Sequence, residues 1–315
     1  MGEKKRMSTF KVLLEQMGLF IIYILAGVIL IRTKVLNRET LEPISRFVIK
    51  MALPLMVFIN ITDGAGREVL LRSWPVLVIA AGFYICMFIA GRILVKLFRL
   101  ESDQIGVYRA MMLFGNIGFM GMPMIVSVFP EDGALYASVF MMIDQFMLWT
   151  LGVKLLSSDG EGNFQLRKLV NPATVAIVLA VFMVSTGFRL PALLDTAFQK
   201  IGATSSPLAM IYVGGIFATA DISKYLKKIS LYGIVFLKMI LMPVLLFVVL
   251  GMFPLSGEMR LIMALLTGMP TMTAVVMMAN ASGLDGDYAL GGVLVTTVCG
   301  ILTLPAVCWV LQNMI

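Results

Sequence analysis

The chain has 315 residues, 60% of them hydrophobic and only 14% charged, whereas soluble domains run at roughly 45–50% and about 25%. Too few polar residues remain to cover a soluble fold of this size, which excludes an ordinary water-soluble enzyme or binding module. The net charge of +7 does not point to nucleic acid, because the basic residues sit in short loops between apolar runs, as the positive-inside rule describes.

Lys4, Lys5 and Arg6 precede an apolar run from Met17 to Ile31, a pattern that imitates a signal peptide. No small-residue cleavage site follows, so the run reads as a retained first helix. Further apolar stretches of transmembrane length follow in near-continuous succession. The segments fall at Lys11–Arg32, Ser45–Thr62, Trp74–Phe98, Gly106–Phe129 and Gly133–Leu156, then Asn171–Phe188, Thr204–Ala220, Ser230–Met252, Glu258–Ala281 and Asp287–Gln312. The expected fold class is therefore an all-α membrane protein of about ten transmembrane helices.

One hydrophilic stretch, 157–170, divides the chain into a first half, 1–156, and a second, 171–315. The order of features repeats in the two halves. Pro54 lies within segment two and Pro207 within segment seven. Gly115 to Pro123 interrupts segment four, and Gly268 to Thr273 interrupts segment nine. An acidic loop follows each, Glu131-Asp132-Gly133 and Asp285-Gly286-Asp287, and then a long closing helix. An odd number of helices per half places the second half in the opposite orientation, an inverted repeat of the kind found in secondary transporters. Loop charges set the orientation. Arg32, Lys34, Arg38, Arg92, Lys96, Arg99, Lys227 and Lys228 share one side, which reads as cytoplasmic, with both termini outside.

The strongest local signal is the broken character of segments four and nine. Glycines 115, 118 and 121 with Pro123, and Gly268 with Pro270, weaken a helix by about 1 kcal/mol per glycine and about 3 per proline. Unwound backbone at membrane depth survives only within protein or beside a watery cavity. The half-helix N-termini it creates favour an anion. Asn116, Thr271 and Thr273 could line such a site, although glycines also permit close packing and prolines also simply kink helices.

The motifs Asn116-Ile117-Gly118-Phe119-Met120-Gly121-Met122-Pro123, Leu53-Pro54-Leu55, Leu148-Trp149-Thr150-Leu151-Gly152, Val170-Asn171-Pro172 and Ile301-Leu302-Thr303-Leu304-Pro305 resemble, in this order, the auxin efflux carrier family of membrane transporters. The resemblance spans essentially the whole chain. It implies two inverted five-helix repeats, akin to bile-acid symporters, with helices four and nine crossing where they break. It further implies a scaffold of helices one, two, six and seven, through which a homodimer could form, and a transport domain of helices three to five and eight to ten. A small organic anion is the implied substrate: a carboxylate such as malate or malonate, or an auxin-like acid. By analogy the substrate site falls on Asn116, Ile117, Pro123, Pro270 and Thr271, with Thr273 beyond them and Pro54 on the flanking wall. Segment nine carries threonines where plant members are richer in proline, so its polar lining differs.

Ionisable residues inside the membrane read as functional. Asp144 in segment five and Lys238 in segment eight are candidates for coupling or charge compensation, against the plainer readings of a structural partner and a snorkelling chain. Lys50, nearer a helix end, reads as snorkelling. No histidine is present, and Cys86, Cys299 and Cys308 lie in apolar segments, so neither a metal, a resident cofactor nor a disulfide is expected. Either H⁺ or Na⁺ could be the coupling ion. An intramembrane hydrolase lacks its residues here, whereas a channel or a sensor built on a transporter fold stands as the alternative. The expected location is a bacterial inner membrane.

Overall fold

The computed structural model describes residues 3–64, 74–130, 133–157, 172–219 and 223–314. The hydrophilic divide lies almost wholly outside the described residues, as do Glu131-Asp132 and Asn171. Twelve helical elements carry the fold: α1 (Glu3–Arg32), α2 (Arg38–Asp63), α3 (Trp74–Leu97), α4 (Ser102–Leu113), α5 (Ile117–Val128), α6 (Gly133–Leu155), α7 (Pro172–Thr186), α8 (Ala192–Thr219), α9 (Ile229–Leu250), α10 (Gly257–Thr267), α11 (Ala274–Ala281) and α12 (Gly286–Asn313). Among the described residues there is no strand, and seven helices are long and apolar enough to cross a membrane. They are the Leu14–Arg32 part of α1, then α2, α3, α6, α8, α9 and α12. The chain is a multi-pass membrane protein.

These helices are apolar all round rather than amphipathic, so burial alone separates their faces. In α3, Val76, Ala80, Phe83, Met87 and Val95 are buried while Ile85, Ile89 and Ile93, spaced four apart, remain exposed. Lipid accepts such a stripe where water would not.

Several helices start earlier than hydropathy predicts, among them segments two and seven. Segment two begins at Arg38 instead of Ser45, because Asn37 and Thr40 form a reciprocal capping box, with Thr40 N–H donating to Asn37 Oδ1 at 2.9 Å. Segment seven begins at Ala192 instead of Thr204. Its first turns carry Asp195, Gln199 and Lys200, polar residues that hide a helix from a hydropathy reading.

Four π-helical turns widen the helices at Val48–Ala52, Ile117–Gly121, Leu148–Gly152 and Val235–Leu241. Three of them stand immediately before a Leu-Pro or Met-Pro pair containing Pro54, Pro123 or Pro243. Proline lacks an N–H and its ring collides with the preceding turn. A π turn relieves both by shifting the hydrogen-bond register, so each proline bends its helix without ending it.

Two groups of neighbouring helices can be followed, and they also touch, α1 packing on α5 and α12 and α2 on α6. In one, α1 packs along α8, and the second half of α2 packs against α7 and the start of α8. In the other, α3, α4 and α6 pack together, as do α9, α10 and α12, with α10 against α6 and α12 against α4 joining them. The α1–α8 contact depends on glycine. A side chain at Gly27 would strike the carbonyl of Ile211, and one at Gly214 the carbonyl of Ile24. Close backbone approach of this kind is a common way for helices to associate in lipid. Gly214→Leu is accordingly expected to destabilise the protein by about 1–3 kcal/mol. Gly82→Leu, where nothing lies within 4 Å, should be nearly neutral. Melting temperatures of the purified variants in detergent check this, and equal values for both would contradict the contact.

Candidate functional site

Segment four is interrupted after Leu113 and resumes at Ile117, and segment nine is interrupted after Thr267 and resumes at Ala274. The two unwound stretches lie against each other as a single antiparallel β-bridge between Gly115 and Thr271. Asn116 N–H donates to the Pro270 carbonyl at 2.6 Å, and Met272 N–H donates to the Phe114 carbonyl at 3.1 Å. Backbone groups freed by each break are thereby satisfied by the other, as a low-dielectric interior requires. A Cβ on Gly115 would sit 3.1 Å from the side chain of Met269, so the bridge leaves little room for a larger residue.

Side chains from other helices lock this crossing. Thr296 of α12 accepts from the Thr271 N–H at 3.0 Å while donating to the Gly292 carbonyl at 2.7 Å. Ser206 of α8 donates to the Phe119 carbonyl at 2.8 Å. On the α2 side, Leu53 lies within 3.1 Å of where a Cβ of Gly118 would stand. Lys238 of α9 is fully buried and donates to the carbonyls of Met111 and Phe114, both at 2.9 Å. Those carbonyls end α4, where the helix has no further N–H of its own to offer and its dipole is negative.

Asp144 of α6 is also fully buried. The hydroxyl of Tyr84 in α3 donates to its Oδ1 at 2.5 Å, and Oδ2 has no partner. Tyr84 in turn packs on Phe114, ring centroids 6.2 Å apart. Asp144 and Lys238 are near enough to act on each other electrostatically. They form no direct ion pair, however: Asp144 Oδ1 takes the Tyr84 hydroxyl, and the Lys238 ammonium donates to main-chain carbonyls.

The crossing therefore gathers Asn116, Ile117, Pro270, Thr271 and Thr273, all buried. Pro123 follows one turn into α5, half-buried, and Pro54 sits buried in α2 directly after Leu53. Asn116 Oδ1 and Thr273 Oγ1 are buried without hydrogen-bond partners. Thr271 is spoken for by structure, its hydroxyl directed to the Met111 carbonyl at 3.4 Å.

A cavity of about 790 Å³ opens beside the crossing, lined among others by Arg38, Lys50, Asp287 and the ion-paired Arg46 and Glu42. It continues through Ser45, Ile49, Tyr212 and Met277 into a constriction of about 10 Å³ that reaches Phe119 and Thr273. Ser45 Oγ stands 3.1 Å from Met277 Sδ across this neck. Lys50, in the π turn of α2, is exposed and lines this cavity. A second cavity, of about 640 Å³, opens at the far ends of α2 and α7 and includes Asp63, Gly187 and Arg189.

Sequence reasoning missed Tyr84, Ser206 and Thr296. A tyrosine in an apolar run carries no signal of its own. The Thr296-Thr297 pair in the middle of an apolar helix was a usable one, since hydroxyls at membrane depth seek a partner.

Comparison with known proteins gives the chain its class. A family model described as "Membrane transport protein" matches residues 12–166 and 161–308. A protein of Methanocaldococcus jannaschii named as an uncharacterized transporter is 22% identical over 290 residues, covering 89% of this chain and 92% of the relative. An uncharacterized transporter of Escherichia coli K12 is 23% identical over 297 residues, with 90% and 93% covered. A Rhizobium meliloti protein named "Putative malonate transporter" is 22% identical over 294 residues, with 87% and 88% covered. Matched along nearly its whole length, the chain belongs to the membrane transport protein family, the auxin efflux carriers that its motifs resemble.

Proposed function

We propose that this transporter carries a small organic anion, a carboxylate such as malonate or malate or an auxin-like acid, by alternating access at the crossing of its two broken helices. The observation that carries the reading is the meeting of two half-helix N-termini, with Asn116 and Thr273 at their N-cap positions and the buried Thr273 hydroxyl left without a hydrogen-bond partner. Helix N-termini favour negative charge, and the Asn116 amide N–H groups and Thr273 hydroxyl add donors. The malonate in the name of the Rhizobium meliloti relative supports a carboxylate.

The architecture that goes with this function has about ten membrane segments in two inverted halves. The seven long spans, the shorter α7, and the interrupted pairs α4–α5 and α10–α11 supply them. The set containing α1, α2, α7 and α8 would serve as the scaffold against which the other set moves. Ser206 and Leu53 are then the scaffold's contacts with the crossing. The larger cavity opens toward the end that loop charges assign to the cytoplasm, and the smaller cavity toward the opposite end. Asp144, buried with one oxygen unpartnered, would take up and release the coupled proton.

Uptake of radiolabelled malonate and malate into proteoliposomes tests the function. Saturable uptake with counterflow is expected, and flux that stays linear in concentration would make the protein a channel. Asn116→Ala removes a donor to a charged ligand, so its KM should rise about tenfold or more; a folded variant with unchanged KM would remove Asn116 from the site. For Asp144→Asn, the expectation is slowed uptake with a flattened pH dependence, and wild-type rate and pH profile together would eliminate Asp144 as the proton carrier.

A further inference from the structure

Lys238 is the buried charge that the anion site does not use. Its ammonium makes no direct ion pair with Asp144, whose Oδ1 takes the Tyr84 hydroxyl instead. It does not reach lipid headgroups either, being fully buried. Both of its described hydrogen bonds go to main-chain carbonyls, those of Met111 and Phe114. The same two oxygens also accept from the opposite broken helix: Met111 from the Thr271 hydroxyl and Phe114 from the Met272 N–H. One cation thus sits on the carbonyls through which the two unwound stretches are joined, at the negative end of α4.

In carriers with discontinuous helices, unwound carbonyls and half-helix C-termini are where a coupling cation is coordinated. An ammonium group offers the same charge to the same oxygens, but it is tethered to α9 and cannot leave. We propose that Lys238 is a resident cation of the crossing, occupying the position where a free sodium ion would otherwise bind, so that this carrier works without sodium. A tethered cation travels with the protein and cannot be released on the far side, so no sodium gradient can be tapped at this position. Asp144, held by Tyr84, balances the Lys238 charge whenever it is ionised, without displacing Lys238 from the carbonyls. The inference rests on the crossing being the element that moves the substrate, as proposed above, but it concerns the ion and not the anion.

Melting of the purified full-length protein in detergent, in equal concentrations of sodium, choline or methylammonium chloride, tests it without any substrate. The wild type should melt at one temperature in all three salts. Lys238→Ala should melt about 5–10 °C lower in choline and recover in part in methylammonium or sodium, which can reach the vacated carbonyls. A wild type that gains stability saturably from sodium would overturn the proposal, and so would a Lys238→Ala protein that melts like the wild type in choline. If the alanine variant does not fold, Lys238→Met keeps most of the side-chain bulk for the same comparison, and the wild-type arm decides by itself. Malonate uptake by the wild type should proceed equally with sodium or choline outside. Failure of uptake in every salt would sink the anion reading, while the melting data would still decide on Lys238.

Discussion

A helix that unwinds at membrane depth frees N–H and C=O groups that neither lipid nor water will pair, and each left unmade costs several kcal/mol. In this transporter two helices unwind at the same place, and each supplies the partners the other lacks. The Gly115–Thr271 bridge, with its bonds from Asn116 to Pro270 and from Met272 to Phe114, is the constraint on which the surrounding structure depends. Thr296, Ser206 and Lys238 all converge on backbone in or beside these two stretches, Ser206 and Lys238 from helices distant in sequence. The break is therefore a built feature held from several sides and not a local weakness.

The same constraint separates polar groups into those that hold the crossing and those left free at it. Thr271 and Lys238 are engaged by main-chain partners. Asn116 Oδ1 and Thr273 Oγ1 are not, and Thr273 also borders the neck leading to the larger cavity. Buried polar atoms without partners are uncommon in folded proteins and ask for an explanation. An anion that arrives through that neck provides one for the Thr273 hydroxyl, which can donate to it. The narrowness of the neck, set by Ser45, Tyr212 and Met277, would then separate the cavity from the crossing until the two sets of helices shift.

Much of this was legible in the residues. Bulk apolarity marked the membrane segments, and the glycine and proline clusters at 115–123 and 268–270 marked where helices must break, because both residue types act on the backbone itself. The first turns of α2 and α8 were hidden, since Glu39, Glu42 and Asp195 lower hydropathy without lowering helicity. The π turns were implied by Pro54, Pro123 and Pro243, yet the turn at Leu148–Gly152 has no proline to announce it. What could not be read was pairing across space. Nothing in the sequence near Asp144 points to Tyr84, 60 residues away, nor near Lys238 to Met111, 127 residues away. Lys50 looked like an end residue because the start of α2 was placed too late.

The central claim is that the crossing of the two broken helices is where the carried anion binds. An experimental structure of the protein determined with malonate tests it most directly. The account predicts malonate density between Asn116 and Thr273, with the Gly115–Thr271 bridge intact beside it. Malonate resolved elsewhere, with the Asn116 amide and Thr273 hydroxyl turned to protein partners, would contradict it.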